Sequence, residues 1–73
     1  PTTTISFTIP ITGNVSLKVF NVLGKEIATL VNETKSAGNY SINFNASGLS
    51  SGVYFYQLTT DNFTSTKKFT LMK

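Results

Sequence analysis

The chain has 73 residues, and six lysines against three acids give it a formal net charge of +3. It contains no cysteine and no histidine, so it lacks thiol nucleophiles, disulfides, the usual general base and the commonest metal ligand. We therefore expect no enzyme activity, no metal site and no cofactor. A domain of this size buries only about 60% of the surface that its unfolded chain exposes, so most large apolar side chains are needed for packing.

No apolar run approaches the ~20 residues of a membrane helix, and the first residues lack the positive start and apolar core of a secretory signal. The chain begins with Pro1 and not with Met, so we expect it to be a domain cut from, or matured out of, a longer protein. No linker, low-complexity tract or internal repeat is apparent. We expect residues 1–73 to form a single domain.

The first half of the chain alternates apolar and polar residues with the period of half-buried strands. A first strand is predicted over residues 3–9, followed by a turn over residues 10–14. A second strand over residues 15–20 leads into a turn over residues 21–25. In that turn Gly24 can adopt a positive φ without steric cost.

The middle of the chain contains the one ambiguous segment. Residues 26–31 (EIATLV) include Ala28 and Leu30, which tolerate a helix, but six residues between turn signals favour a strand. Residues 32–39 (NETKSAGN) are predicted to be a loop, and residues 40–44 the next strand.

The last third of the chain is predicted to contain two more strands. Residues 45–52 form a longer connection, residues 53–60 a strand, residues 61–62 a tight turn and residues 63–72 the final strand. About six to seven strands joined by short polar turns predict an all-β fold, a small antiparallel immunoglobulin-like β-sandwich.

The aromatic run in SSGVYFYQL raises the question of whether these rings pack or bind. Leu49, Gly52 and Tyr54 have the spacing of a tyrosine corner, in which a Tyr at the start of the penultimate strand hydrogen-bonds to backbone a few residues upstream. The period of two then places Tyr54, Tyr56 and Leu58 on the core face. Phe55 lies on the other face, where it is either packed or an exposed contact residue.

Other chemistry finds little support in the sequence. Glu26, Glu33 and Asp61 belong to separate turns or strand ends, which disfavours a calcium cage and a glycosidase pair. Binding of single-stranded nucleic acid needs aromatic residues interleaved with lysines on one exposed face. That pattern is not present, so we expect no nucleic-acid partner.

Three motifs in order along the chain carry a family resemblance. Their residues are, in turn, Val19, Phe20, Asn21, Gly24 and Lys25; Leu49, Gly52, Tyr54 and Leu58; and Thr66, Lys67, Lys68, Leu71 and Lys73. Together they resemble the C-terminal sorting domain of the type IX secretion system, type A, which occurs on secreted proteins of Bacteroidetes and related bacteria. The resemblance covers nearly the whole chain. Such domains usually begin with a P-N-P segment, which this chain either lacks or retains only as Pro1.

The resemblance implies a non-catalytic secretion address with an immunoglobulin-like fold. Such a domain follows an unrelated upstream cargo domain, is recognised by the outer-membrane translocon and is commonly removed by a sortase-like peptidase as the cargo reaches the cell surface. The alternative is a structural immunoglobulin-like module or a self-assembling subunit of an extracellular filament or surface protein, associating through edge strands.

The resemblance also assigns roles to individual residues. Translocon recognition falls on the basic end: Lys67, Lys68, Leu71 and Lys73. Structural roles fall on Gly24, Leu49, Gly52, Tyr54 and Leu58. On the last strand Phe69 and Leu71 are expected to alternate inward, which leaves the lysines in solvent.

Overall fold

The computed structural model describes residues 2–72, which form six β-strands. They are β1 (Thr2–Ile9), β2 (Gly13–Asn21), β3 (Glu26–Lys35), β4 (Gly38–Asn45), β5 (Gly52–Thr60) and β6 (Thr64–Leu71). Within this part of the chain there is no helix with the length and apolar character needed to cross a membrane. Pro1 and Lys73 lie outside the described residues.

The strands form two antiparallel sheets. β1 pairs with β4, and the other four strands pair in the order β3-β2-β5-β6. One core cluster takes residues from both sheets, so the sheets face each other as a sandwich. The predicted all-β antiparallel sandwich is confirmed.

The core follows from the alternation along β1 and β2. Ile5 and Ile9 on β1 and Val15, Leu17 and Val19 on β2 are the largest fully buried side chains. Because successive side chains of a strand point to opposite faces, each strand contributes an apolar inner row and a polar outer row. Burial of a Val, Leu or Ile side chain stabilises the fold by roughly 1.5–3 kcal/mol, so these two rows provide much of the driving force.

The outer face of the two-stranded sheet explains much of the Thr, Ser and Asn content. Its cross-strand partners are joined by side-chain hydrogen bonds, which are Thr4 to Asn43 at 3.0 Å, Ser6 to Ser41 at 3.2 Å and Thr8 to Asn39 at 2.8 Å. Polar pairs of this kind add to the backbone ladder on a solvent-facing side.

The predicted loop over residues 32–39 is wrong. β3 continues to Lys35 and β4 begins at Gly38, so only two residues connect them. The β3 extension is held by β2, where Gly13 pairs with Lys35 and Asn14 with Thr34. β3 is an edge strand, and its exposed polar residues imitate a loop in the sequence. The ambiguous segment 26–31 is strand, as expected.

The two sheets differ in width, and this creates the main concave feature. The two-stranded sheet is too narrow to cover the whole inner face of the four-stranded sheet. Tyr56 on β5 and Phe69 on β6 therefore remain only partly buried against the core. The inner side of β6 is therefore reachable from solvent. β6 is also shorter than predicted, since it starts at Thr64 and ends at Leu71.

Candidate functional site

The β2–β3 turn is organised by one side chain. The Oδ1 atom of Asn21 accepts hydrogen bonds from the backbone N–H groups of Leu23 at 2.9 Å and Lys25 at 3.0 Å. Gly24 has a φ of 84°, the left-handed conformation anticipated from the sequence. The turn holds Val22 and Leu23 in solvent, with 67% and 89% of their surface exposed.

The connection into β5 contains the hydrogen bond of a tyrosine corner. The hydroxyl of Tyr54 donates to the carbonyl oxygen of Ser50 at 2.7 Å. Gly52, between them, has a φ of 152°, and Leu49 packs against the core. Tyr54 and Leu58 are buried, whereas Tyr56 on the same face is half-buried. Tyr54 and Leu58 are therefore part of the packed core.

A second corner, which the sequence analysis missed, opens β4. The hydroxyl of Tyr40 donates to the carbonyl oxygen of Ser36 at 2.6 Å, and Gly38 has a φ of 153°. The segments SAGNY (36–40) and SSGVY (50–54) share a Ser-x-Gly-x-Tyr pattern. This short internal repeat was visible in the sequence, and it marks the starts of two strands that belong to opposite sheets.

The basic end does not form one surface. Lys67 is paired with Tyr56 and Lys68 with Phe55, so their side chains leave opposite faces of β6. Lys67 shares the inward face with Phe69 and Leu71. Both lysines are exposed, as expected, although Lys67 lies on the inward face of β6. Leu71 is 4% exposed and belongs to the core.

An open groove lies between the two sheets beside the inner face of β6, with a volume of about 550 Å³. Its apolar lining is Phe7, Tyr40, Tyr56, Leu58 and Phe63, and its polar lining includes Ser41, Ser65 and Lys67. The rings of Phe7 and Tyr40 are stacked with centroids 5.6 Å apart. Six of its eleven lining residues are polar, so the groove combines apolar rings with side chains that can form hydrogen bonds.

The acidic side chains are all engaged away from β6. Glu26 pairs with Lys18 at 3.3 Å, and Glu33 pairs with Lys35 at 3.4 Å. A side-chain oxygen of Asp61 accepts a hydrogen bond from the backbone N–H of Asn14 at 3.4 Å. Within residues 2–72 no cluster of acidic residues could hold a metal ion. The lysines of β6 therefore face solvent without a carboxylate partner in this part of the chain.

These features define a class of domain. A two-stranded sheet facing a four-stranded sheet, with a tyrosine corner at the start of the penultimate strand, is the arrangement of an immunoglobulin-like sandwich. The family model of the secretion system C-terminal sorting domain matches residues 1–72, and the chain belongs to this family, the sorting domains of type IX secretion.

Family membership also defines the destination. A sorting domain of type IX secretion implies export to the cell surface or the extracellular space, as the sequence resemblance predicted. Sorting domains of this family are in general non-catalytic. Comparisons with curated proteins and with solved structures gave no significant match.

Proposed function

We propose that residues 1–73 act as one non-catalytic C-terminal address, which directs an upstream cargo protein through the type IX secretion system to the cell surface. The observation that carries the proposal is the family match over residues 1–72, which includes the whole of β6. In this proposal the partners are the outer-membrane translocon and a sortase-like peptidase that separates the domain from its cargo.

The accessibility of β6 supports a role in recognition. It lies at the edge of its sheet, and Lys67 and Lys68 are exposed on its two faces. A receptor could therefore approach the strand without unfolding the sandwich. Leu71 contributes to recognition only indirectly, because it is buried and holds the strand in place. Lys73 keeps its proposed role, although it lies outside the described residues.

The proposal is tested with a fluorescent reporter fused upstream of the domain in a bacterium with the type IX machinery. The reporter should reach the cell surface, and deletion of residues 67–73 should retain it in the periplasm. The deletion also removes the buried Leu71 and destabilises the sandwich, so it cannot by itself separate recognition from folding.

A milder variant separates the effect on recognition from the effect on folding. The double substitution Lys67→Thr, Lys68→Thr keeps the strand and its core residues, and it should also block export. The matched control is Lys18→Thr, Lys35→Thr, which removes the same charge from the two lysines in ion pairs. If the β6 variant is folded and exported at the normal level, the basic strand is not the address. Mass spectrometry of the surface fraction detects removal of the domain.

A further inference from the structure

β6 has one unused edge. It is hydrogen-bonded to β5 on one side only, so along Thr64–Leu71 the backbone N–H and C=O groups of its other edge have no strand partner among the described residues. Such an edge is a ready template for another strand. Peptide-binding domains use edges of this kind, where main-chain hydrogen bonds provide affinity and alternate side chains provide specificity.

The inward side chains of β6 define what an added strand would meet. They are Ser65, Lys67, Phe69 and Leu71, spaced two residues apart. Phe69 contacts the rings of Tyr54 and Tyr56, with centroids 5.8 and 6.0 Å away. Lys67 lines the groove. The ammonium group of a lysine beside an apolar ring cluster attracts a carboxylate on the added strand and repels a second cation there.

We infer that the free edge of β6 binds an extended strand of a partner protein by strand addition. The partner strand carries a carboxylate opposite Lys67 and, two residues away, an apolar side chain opposite Phe69. The inference rests on the proposed function, because the partner is then a component of the export machinery. The added strand can run parallel or antiparallel to β6, since alternate side chains point inward in both directions.

An inward-pointing lysine on an edge strand has another reading, protection against unwanted pairing. Two observations favour binding. The groove beside Lys67 leaves room for the inward side chains of an incoming strand. All three acids of the chain are engaged with other groups, so Lys67 can pair with an incoming carboxylate. The lysine therefore repels basic strands and selects acidic ones.

The chain itself contains one strand with the required pattern. On the free edge of β3, Val31 and Glu33 share the inward face, because they pair with Leu17 and Val15 on β2. This pattern allows a second copy to offer β3 to β6. The oligomeric state is therefore part of the test, and a Glu33→Lys variant shows whether β3 is involved.

The binding test uses synthetic eight-residue peptides that alternate Thr with Val. In the first peptide a central Val is replaced by Glu, in the second peptide the same Val is replaced by Lys, and the third peptide has no replacement. Fluorescence anisotropy should show the Glu peptide binding roughly fivefold more tightly than the Lys peptide, because opposite and like charges across strands differ by about 1 kcal/mol.

Variants of the intact domain locate the site. Lys67→Glu should reverse the order of the Glu and Lys peptides, whereas Lys25→Glu, the same charge change in the β2–β3 turn, should leave it unchanged. Amide NMR shifts should be confined to β6 and the groove. Equal binding of all peptides, or an equal effect of the two variants, would overturn the inference.

Export measurements distinguish this inference from the proposed function. If the reporter with the intact domain is not exported, the proposed function fails. If it is exported, but the peptides show no preference governed by Lys67, the inference alone fails. The other outcome is a domain that self-associates at micromolar concentration and becomes monomeric when Glu33 is replaced by Lys. That result would show that β6 binds a second copy of this chain, and it would overturn the inference that it binds a partner protein.

Discussion

The hydroxyl of Tyr54 lies 2.7 Å from the carbonyl oxygen of Ser50 and is the donor of that hydrogen bond. It ties the start of β5 to the connection that leaves the opposite sheet. Tyr54→Phe should lower the free energy of unfolding by about 1 kcal/mol, since the ring packing is kept and one hydrogen bond is lost.

Tyr56→Phe is the control for this substitution. Its hydroxyl makes no hydrogen bond within residues 2–72, so its loss should leave the unfolding midpoint in urea nearly unchanged. If the two variants unfold at the same urea concentration, the Tyr54 bond does not stabilise the fold.

Gly38 and Gly52 should resist replacement for reasons of backbone conformation and not of space. Their φ values are 153° and 152°, and a Cβ atom at Gly52 would meet nothing within 4 Å. Alanine at either position should therefore cost roughly 1–3 kcal/mol of strain. Gly48→Ala is the control, because Gly48 has open space and no left-handed φ. Thermal unfolding measures all three, and an equally stable Gly52→Ala would contradict the strain argument.

Asn21 should matter more than its half-buried position at the end of β2 suggests. Asn21→Ala removes the acceptor for two backbone N–H groups in the β2–β3 turn, and we expect a loss of roughly 1–2 kcal/mol. The control is Asn32→Ala on β3, which removes the same kind of amide group from a side chain for which the structure describes no hydrogen bond. Urea unfolding of both variants provides the comparison, and equal losses would show that the turn bonds contribute nothing.

The isolated domain should be monomeric at micromolar concentration. The lysines of β6 repel a second copy of the same strand, since paired like charges are destabilising. Lys67→Val, Lys68→Val should promote association, which analytical ultracentrifugation detects. Long regular assemblies of the unaltered domain would instead favour a filament or surface-layer subunit.

The buried half of the fold was predictable from the sequence. Two local patterns each predict one structure. They are the alternation of Ile5, Phe7 and Ile9 on β1 and the spacing of Gly52 and Tyr54 at the start of β5. β1 carries one apolar face, so the period of two was sufficient to find it, and the corner spacing marks the start of β5. The family resemblance was likewise contained in short motifs.

The edge strands were harder to predict. The C-terminal part of β3 is polar because only one side of it is covered, so its residues have loop composition although they pair with β2. The exposure of Lys67 was predicted, whereas its place on the inward face, two residues from Phe69, was not, although the period of two implies it. The groove depends on how far one sheet overlaps the other, which no local pattern encodes.

The pairing of β1 with β4 has a consequence for the order of folding. Thr4 and Asn43, joined across that sheet, are 39 residues apart in sequence, while β2–β3 and β5–β6 are hairpins of neighbouring strands. Contacts between distant residues form late, because the intervening chain must first be ordered. The hairpins should therefore form early, and the long-range pairings of β1 with β4 and of β2 with β5 should form later. The first strand, where a cargo protein would be joined, would then be among the last parts of the domain to be fixed in place.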